Sequence, residues 1–396
     1  MQLDTIITNA DVITMDPDRP RARAIGVWRG LVLGVDEELP SGVEANERID
    51  AQGATIVPGF NDVHAHTVWF GLSKLEIDLS GCTDVDQLIQ TIRRGAADLP
   101  PEEWAVASNF QPTDVRGEVT RAVLDEAAEG RPLLVRHCSG HAISVNAAAL
   151  AASGVDEQTP DPEGGHIDLD TGVMEENAMR LIRFHSEPDP EDRIVEAIEI
   201  AHRHYAKEGI TSVTDAGIAG GWIGHSPREF GAYQRAWKLA RTQTMVTLDA
   251  LHPLGGHERE PEVVGLDAGI RTGVGDEWLQ IGPAKIFTDG SLLGFTAAMS
   301  EDYCGCSGVK GYLQQDPDEL KRKALQAAKG GWALALHAIG DGCRGSGHRR
   351  PAGRPRQQHA APHRARRGGP RGPGATPGRD GRGSGAAAAV CGRDGR

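Results

Sequence analysis

The segment "IVPGFNDVHAHT" carries the clearest chemistry in this chain. His64 and His66 alternate with Ala65 at the end of an apolar run. On a strand, residues i and i+2 share a face, so both imidazoles point to one place, with Asp62 two residues earlier on that face. Two neutral imidazoles converging at the C-terminal end of a barrel strand suit a divalent transition metal such as zinc. The bland alternative is a pair of surface histidines. A bare H-x-H is weak, and the preceding apolar-Pro-Gly run with Asp62 makes it specific. Lys285, in "IGPAKIF", sits on an apolar strand where an unmodified ammonium is costly to bury, unless it snorkels or pairs with Asp289. Asp289, in "TDGSLLG", stands at a strand-to-loop transition, placed either to orient a ligand or to cap the next helix. Arg136 has the fork to hold a substrate carboxylate, with nothing nearby to fix its direction. The Gly-rich "GIAGGWIGH" lacks the lysine and spacing of a phosphate-binding loop.

Such groups need a scaffold of strand ends. "ATIVPGF", "PLLVRHC", "ITSVTDA", "MVTLDAL", "IGPAKIF" and "WALALHA" are short and aliphatic, as buried strands are. Amphipathic spacing predicts helices over Thr83–Leu99, Pro190–Glu208, Pro227–Thr242 and Pro317–Lys329, the first with a threonine cap. Strands alternating with helices from Ile56 onward read as a parallel βα architecture. Before that, residues 1–57 hold short β-like runs separated by Gly, Pro and Asp/Asn, as in a small antiparallel sheet.

The net charge of −14 hides two regimes. Residues 343–396 hold 13 arginines against Asp380 and Asp394, so the acidic excess lies in residues 1–342. That acidic body argues against nucleic acid or an anionic membrane as partner, and the expected partner is a small molecule. The six cysteines are scattered, and Cys304 and Cys306 lack a second pair to complete a zinc site, so reduced thiols are expected. No basic leader and no long apolar run is present, which predicts a cytoplasmic protein. Nothing in the sequence reads on oligomeric state.

Several segments together resemble the amidohydrolase superfamily, in particular its amidohydrolase-3 (YtcJ-like) branch. They are "VPGFNDVHAH", "VRHCSGHAISVNAAAL", "GGHIDLDTGVMEENAM", "GITSVTDAGI", "AKIFTDGSLLGFTAAM" and "LALHAIGD", spread over residues 1 to 341. The resemblance implies a (β/α)8 TIM-type barrel with a small β-sandwich and a metal-dependent hydrolase of amide or related C–N bonds, with one or two divalent ions, zinc first among them. His64 and His66 then end strand 1, and "GITSVTD", "MVTLDAL", "AKIFTDG" and "LALHAIGD" become strands 2 to 5. Residues from about 71 to 192 become an insertion, a lid over the barrel mouth. Lys285 becomes a candidate metal-bridging carbamate, with Glu176 as the rival carboxylate, and His337 becomes the strand-5 metal ligand. His141 and Asn146 match positions that face the site from the lid, although Asn146 could equally cap the helix beginning "NAAAL". Asp341 follows His337 in a loop, to hydrogen-bond within the site or to turn the chain.

The family's strand-6 histidine, within an "R-I-E-H" pattern, and its strand-8 aspartate, the expected general base, have no counterpart after His337. His348, His359 and His363 lie in Gly/Arg/Pro sequence, and Val390 is the only branched aliphatic residue from Cys343 onward. No apolar face can form from that composition, so residues 343–396 are expected to be disordered. An arginine-rich, lysine-poor body suggests GC-rich coding, in which a shifted frame yields this vocabulary. The expected organisation is residues 1–57 as sandwich portion, 58–342 as about five of eight barrel strands with the insertion, and 343–396 as an out-of-frame tail. A non-catalytic, regulatory remnant or a deaminase of the same superfamily are the competing functions.

Overall fold

The computed structural model describes residues 2–100, 103–182, 187–237, 239–344 and, as backbone, 389–391. Its centre is a curled parallel sheet, a half-barrel, whose strands follow the chain in order. They are Phe60–Ala65, Ile210–Ile218, Arg241–Thr247, Leu279–Phe287 and Leu334–His337, the first to fifth barrel strands below. Phe60 pairs with Ile210, Val246 with Ala284, and Phe287 with His337. Parallel pairing brings every C-terminal strand end to one rim, which carries the chemistry in this architecture.

The apolar outer face of the sheet is covered by helices Thr67–Leu72, Glu191–Lys207, Glu229–Arg235 and Pro317–Lys329. Leu72, Ile198, Ile218, Tyr233, Ile286 and Trp332 meet in this core. The short helix Thr67–Leu72 lies so close to Glu191–Lys207 that a Cβ on Gly71 would run into the backbone carbonyl of Ala197. Helix Pro317–Lys329 starts as its sequence dictates: the Asp316 carboxylate accepts from the Asp318 and Glu319 amides, and Pro317 fills the first turn. Two expected helices differ. Val85–Ala96 is capped by Asp84, not Thr83, because the aspartate accepts from the Gln87 amide. The helix expected over 227–242 covers only Glu229–Arg235, since Ala236 turns extended and Arg241 already belongs to the third barrel strand.

Between the first and second barrel strands the chain builds a separate six-stranded mixed sheet. Its centre is Ala105–Phe110, Leu133–His137, Ala142–Val145 and Val173–Glu176, packed against helices Val85–Ala96, Arg121–Ala128 and Ala147–Ser153. The N-terminal region forms two small sheets instead of one antiparallel sheet. Gln2–Thr8 pairs antiparallel with Ile25–Trp28 but parallel with Glu44–Asp50, because the chain crosses to its far side after Leu31–Val35.

Among the described residues the outer edge of the first barrel strand has no partner, and Phe60 and Val63 on it are 58% and 61% exposed. The fifth strand pairs antiparallel with Ala389–Cys391. The rest of the segment after Arg344, including His348, His359, His363, Asp380 and Asp394, lies outside the described residues. Among the described residues no helix is long and apolar enough to cross a membrane.

Candidate metal centre

His64 lies on the first barrel strand and His66 just past its end, where it is also the residue before helix Thr67–Leu72. Their ring centres are 5.5 Å apart. The Nδ1 atoms of both rings are buried and hydrogen-bond to nothing among the described residues. Burial, reinforced by the Lys285 ammonium, pushes His64 down to about 4 and His66 well below its usual range. Both rings are therefore neutral at pH 7, the form in which imidazole binds a metal. Asp62 accepts a hydrogen bond from the His64 backbone amide at 3.0 Å, which holds the strand end.

His337 closes the fifth strand and donates from Nε2 to the Gly290 carbonyl at 2.9 Å, leaving Nδ1 as its lone-pair nitrogen. Burial holds it down to about 4. Its ring centre is 5.4 Å from that of His141, which arrives from the inserted sheet. His141 donates from Nδ1 to the Glu176 carboxylate, at 2.9 and 3.0 Å from its two oxygens. Glu176 is fully buried and also accepts from the Thr296 hydroxyl at 2.6 Å and from the Gln314 side-chain amide. It is thus an orienting partner for His141: it stands just before the 3-10 turn Asn177–Leu181, but its buried side chain makes no cap there. Its backbone φ of +51° is in the left-handed region, a strain that the buried hydrogen bonds hold in place.

Lys285, on the fourth strand, is 2% exposed, and its ammonium lies 4.7 Å from the centre of the Phe287 ring. Burial lowers it to about 8, against the pull of Asp215. Asp215 was not among the residues singled out from sequence. It lies on the second strand, fully buried, and accepts from the Thr67 amide at 3.2 Å and from the Tyr233 hydroxyl. Burial raises it to about 6. The signal was present in "GITSVTDAGI", where an aspartate interrupts an apolar strand in the same way as Lys285 does.

Three expected substrate contacts belong elsewhere. Asn146 is fully buried and caps helix Ala147–Ser153, its side-chain oxygen accepting from the Leu133 and Ala149 amides and its amide donating to Arg131. Asp289 is consumed by the backbone amides of Ala298, Ile339 and Gly340, which tie two loops together. Asp341 bonds Ser300 on the surface. Arg136, whose direction the sequence left open, pairs with the buried Glu76 at 3.3 Å.

The imidazoles line a cleft of about 780 Å³ together with Trp69, Trp222, Phe287 and Arg136. No three His, Cys, Asp or Glu side chains among the described residues form a ready-made metal nest. Three imidazoles from the barrel strand ends and one from the inserted sheet, around one cleft, are what the structure supplies.

Residues 47–366 match the model of the Amidohydrolase family. The chain belongs to the amidohydrolase family. The match reaches past Gly342 into the arginine-rich segment. The chain is 29% identical over 347 residues to the protein named "Putative amidohydrolase YtcJ" of Bacillus subtilis (strain 168), a match covering 83% of this chain and 62% of that one. It is 30% identical over 356 residues to the "N-substituted formamide deformylase" of Arthrobacter pascens, covering 85% of this chain and 64% of that one. This amidohydrolase thus spans less than two thirds of the length of those relatives. In fold it is similar to an uncharacterized metal-dependent hydrolase from Pyrococcus horikoshii, with a TM-score of 0.61 at 23% identity over 86% of this chain and 66% of that one.

The donor set fits a divalent ion in chemistry. The orphaned, buried Nδ1 atoms of His64 and His66 at the end of the first strand and the Nδ1 of His337 on the fifth are neutral nitrogen donors lining the same cleft. Neutral imidazole nitrogens of this kind suit a divalent transition metal.

Proposed function

We propose that this amidohydrolase hydrolyses amide-type C–N bonds of small molecules with zinc as its ion. The observation that carries the reading is the gathering of His64, His66, His337 and His141 around one cleft, three of them with nitrogens available for a metal. His64, His66 and His337 would hold the ion, and Lys285, as a carbamate, is the candidate anionic ligand. A lysine lowered to about 8 has the neutral amine fraction that carbamylation by CO2 requires, with loss of one proton. When bound, the ion supplies Lewis-acid activation of water and of the scissile carbonyl. The chain's own residues do the rest. Glu176 fixes His141 with Nδ1 protonated, so its Nε2 is the nitrogen left to accept or return a proton. Trp69, Trp222 and Phe287 wall the cleft with apolar rings, which excludes water and sharpens the electrostatics within. The inserted six-stranded sheet, which carries His141, acts as the lid.

The test loads the protein with zinc and measures ion content, then assays release of amine from N-formyl and N-acyl substrates and of ammonia from aminated heterocycles. Stoichiometric zinc that His64→Ala and His66→Ala each lose, with amine release, supports the reading. Ammonia release alone would favour a deaminase. Zinc binding without hydrolysis would favour a non-catalytic regulatory chain. That second reading rests on the sequence after His337, which offers no counterpart of the family's strand-6 histidine and strand-8 aspartate. Translating residues 340–396 in the other two reading frames tests the frameshift proposal: an R-I-E-H-like strand and a later strand-end aspartate should emerge in one of them.

A further inference from the structure

The Gly-rich turn at 219–226 carries Trp222, one of the rings that wall the cleft. The Trp222 ring centre is 4.9 Å from His141, 4.8 Å from Phe287 and 6.5 Å from Trp69. Trp222 and Phe287 line both the main cleft and the small chamber beside Lys285, so together they stand between them. A turn with three glycines would not hold a bulky ring still unaided. Glu229, the first residue of helix Glu229–Arg235, lies beneath it with no exposed surface. Its Oε2 accepts from the Ala219 amide at 2.6 Å and the Ser226 amide at 3.5 Å, gripping the turn near both ends. Ala219 is not glycine but has a φ of +72°, a conformation that persists only when its surroundings hold it. A second carboxylate secures the far end: Asp189 accepts from His225 Nδ1 at 3.0 Å, and its amide donates to the His225 carbonyl at 2.8 Å. Burying a carboxylate is expensive, and an apolar side chain of similar size would fill the space at less cost. What an apolar residue cannot do is accept from two buried amides.

We propose that Glu229 is a positioning residue of the cleft: by holding the 219–226 turn it sets Trp222 as the wall beside His141, and Trp222 fixes the width available to the substrate. Only the kinetic arm of the test rests on the amide-hydrolase reading. In Glu229→Ala, Trp222 emission, obtained by difference against the same protein with Trp222→Phe, should shift to longer wavelength. The Ala219 amide should exchange its hydrogen about tenfold faster or more. Glu229→Gln keeps an acceptor oxygen and should restore both readouts. With an N-acyl substrate, Glu229→Ala should raise KM several-fold and leave kcat within about twofold. If Glu229→Ala does not fold, Glu229→Asp, one methylene too short to reach Ala219, should show the same emission shift and faster exchange. Unchanged emission and exchange in the alanine or aspartate variant overturns the assignment, and so does a glutamine variant as disturbed as the alanine. If the wild type hydrolyses no amide, the function reading fails while the optical and exchange results stand.

Discussion

At the residue scale, the most costly group in the site is Lys285. Its pKa is depressed in the fold from 10.5 to about 8. A base with a depressed folded pKa contributes stability above its unfolded value and loses it as pH falls through the window down to about 8, so at pH 7 the full penalty is present. Lys285→Met should therefore stabilise the unmodified protein at pH 7 by on the order of 2–3 kcal/mol, a gain that vanishes above about pH 10.5. Urea unfolding at the two pH values checks this, and an unchanged midpoint at pH 7 would show that the ammonium is satisfied in place. His64, His66, Lys285 and His337 could be singled out from the sequence because each interrupts or ends an apolar strand. Asn146 and Asp289 could not be placed that way. Short polar side chains beside turns serve helix caps and loop ties as readily as ligands, and only the structure shows which backbone amides they satisfy.

At the scale of elements, the five parallel strands were legible as short aliphatic runs, while their order followed from the resemblance: "PLLVRHC" is an equally aliphatic run and joins the inserted sheet instead. Helix ends were less legible. Asp84 outcompeted Thr83 as a cap, and the run after Pro227 lost its second half to the sheet. The parallel pairing of Gln2–Thr8 with Glu44–Asp50 had no local signal, since alternation along a strand is blind to partner direction. The contact between helix Thr67–Leu72 and helix Glu191–Lys207 makes a sharper prediction. Gly71→Ala forces the two backbones apart and should cost about 1–3 kcal/mol. Because His66 begins that helix, the same variant should also weaken zinc binding, read by calorimetric titration. A stability loss with zinc affinity untouched would show that the helix does not position His66.

For the whole molecule, buried imidazoles dominate the response to acid. His64, His137, His202 and His337 are each held down to about 4 and His66 well below its usual range, all chiefly by burial. Their depressed folded values give stability that is complete above 6.5 and drains away as pH falls toward 4. Three carboxyls raised by desolvation, Glu175 and Glu229 at about 7 and Asp215 at about 6, work in the opposite direction over an overlapping range. Five against three leaves the histidines ahead. The metal-free protein should melt at a lower temperature at pH 5 than at pH 7.5, and a flat profile by calorimetry would contradict this. Zinc should raise the melting temperature at pH 7.5 and lose that effect near pH 5. The abutting backbones at Gly71 and Ala197 also bear on how the chain reaches this state. Thr67 and Asp215 are joined by a hydrogen bond across 148 residues of sequence, a separation that makes direct closure of the first strand onto the second slow. The six-stranded insertion, with strands from Ile77 to Glu176, lies inside that interval. If it folds first, it hands the barrel two strands already side by side, and a long search becomes a short one.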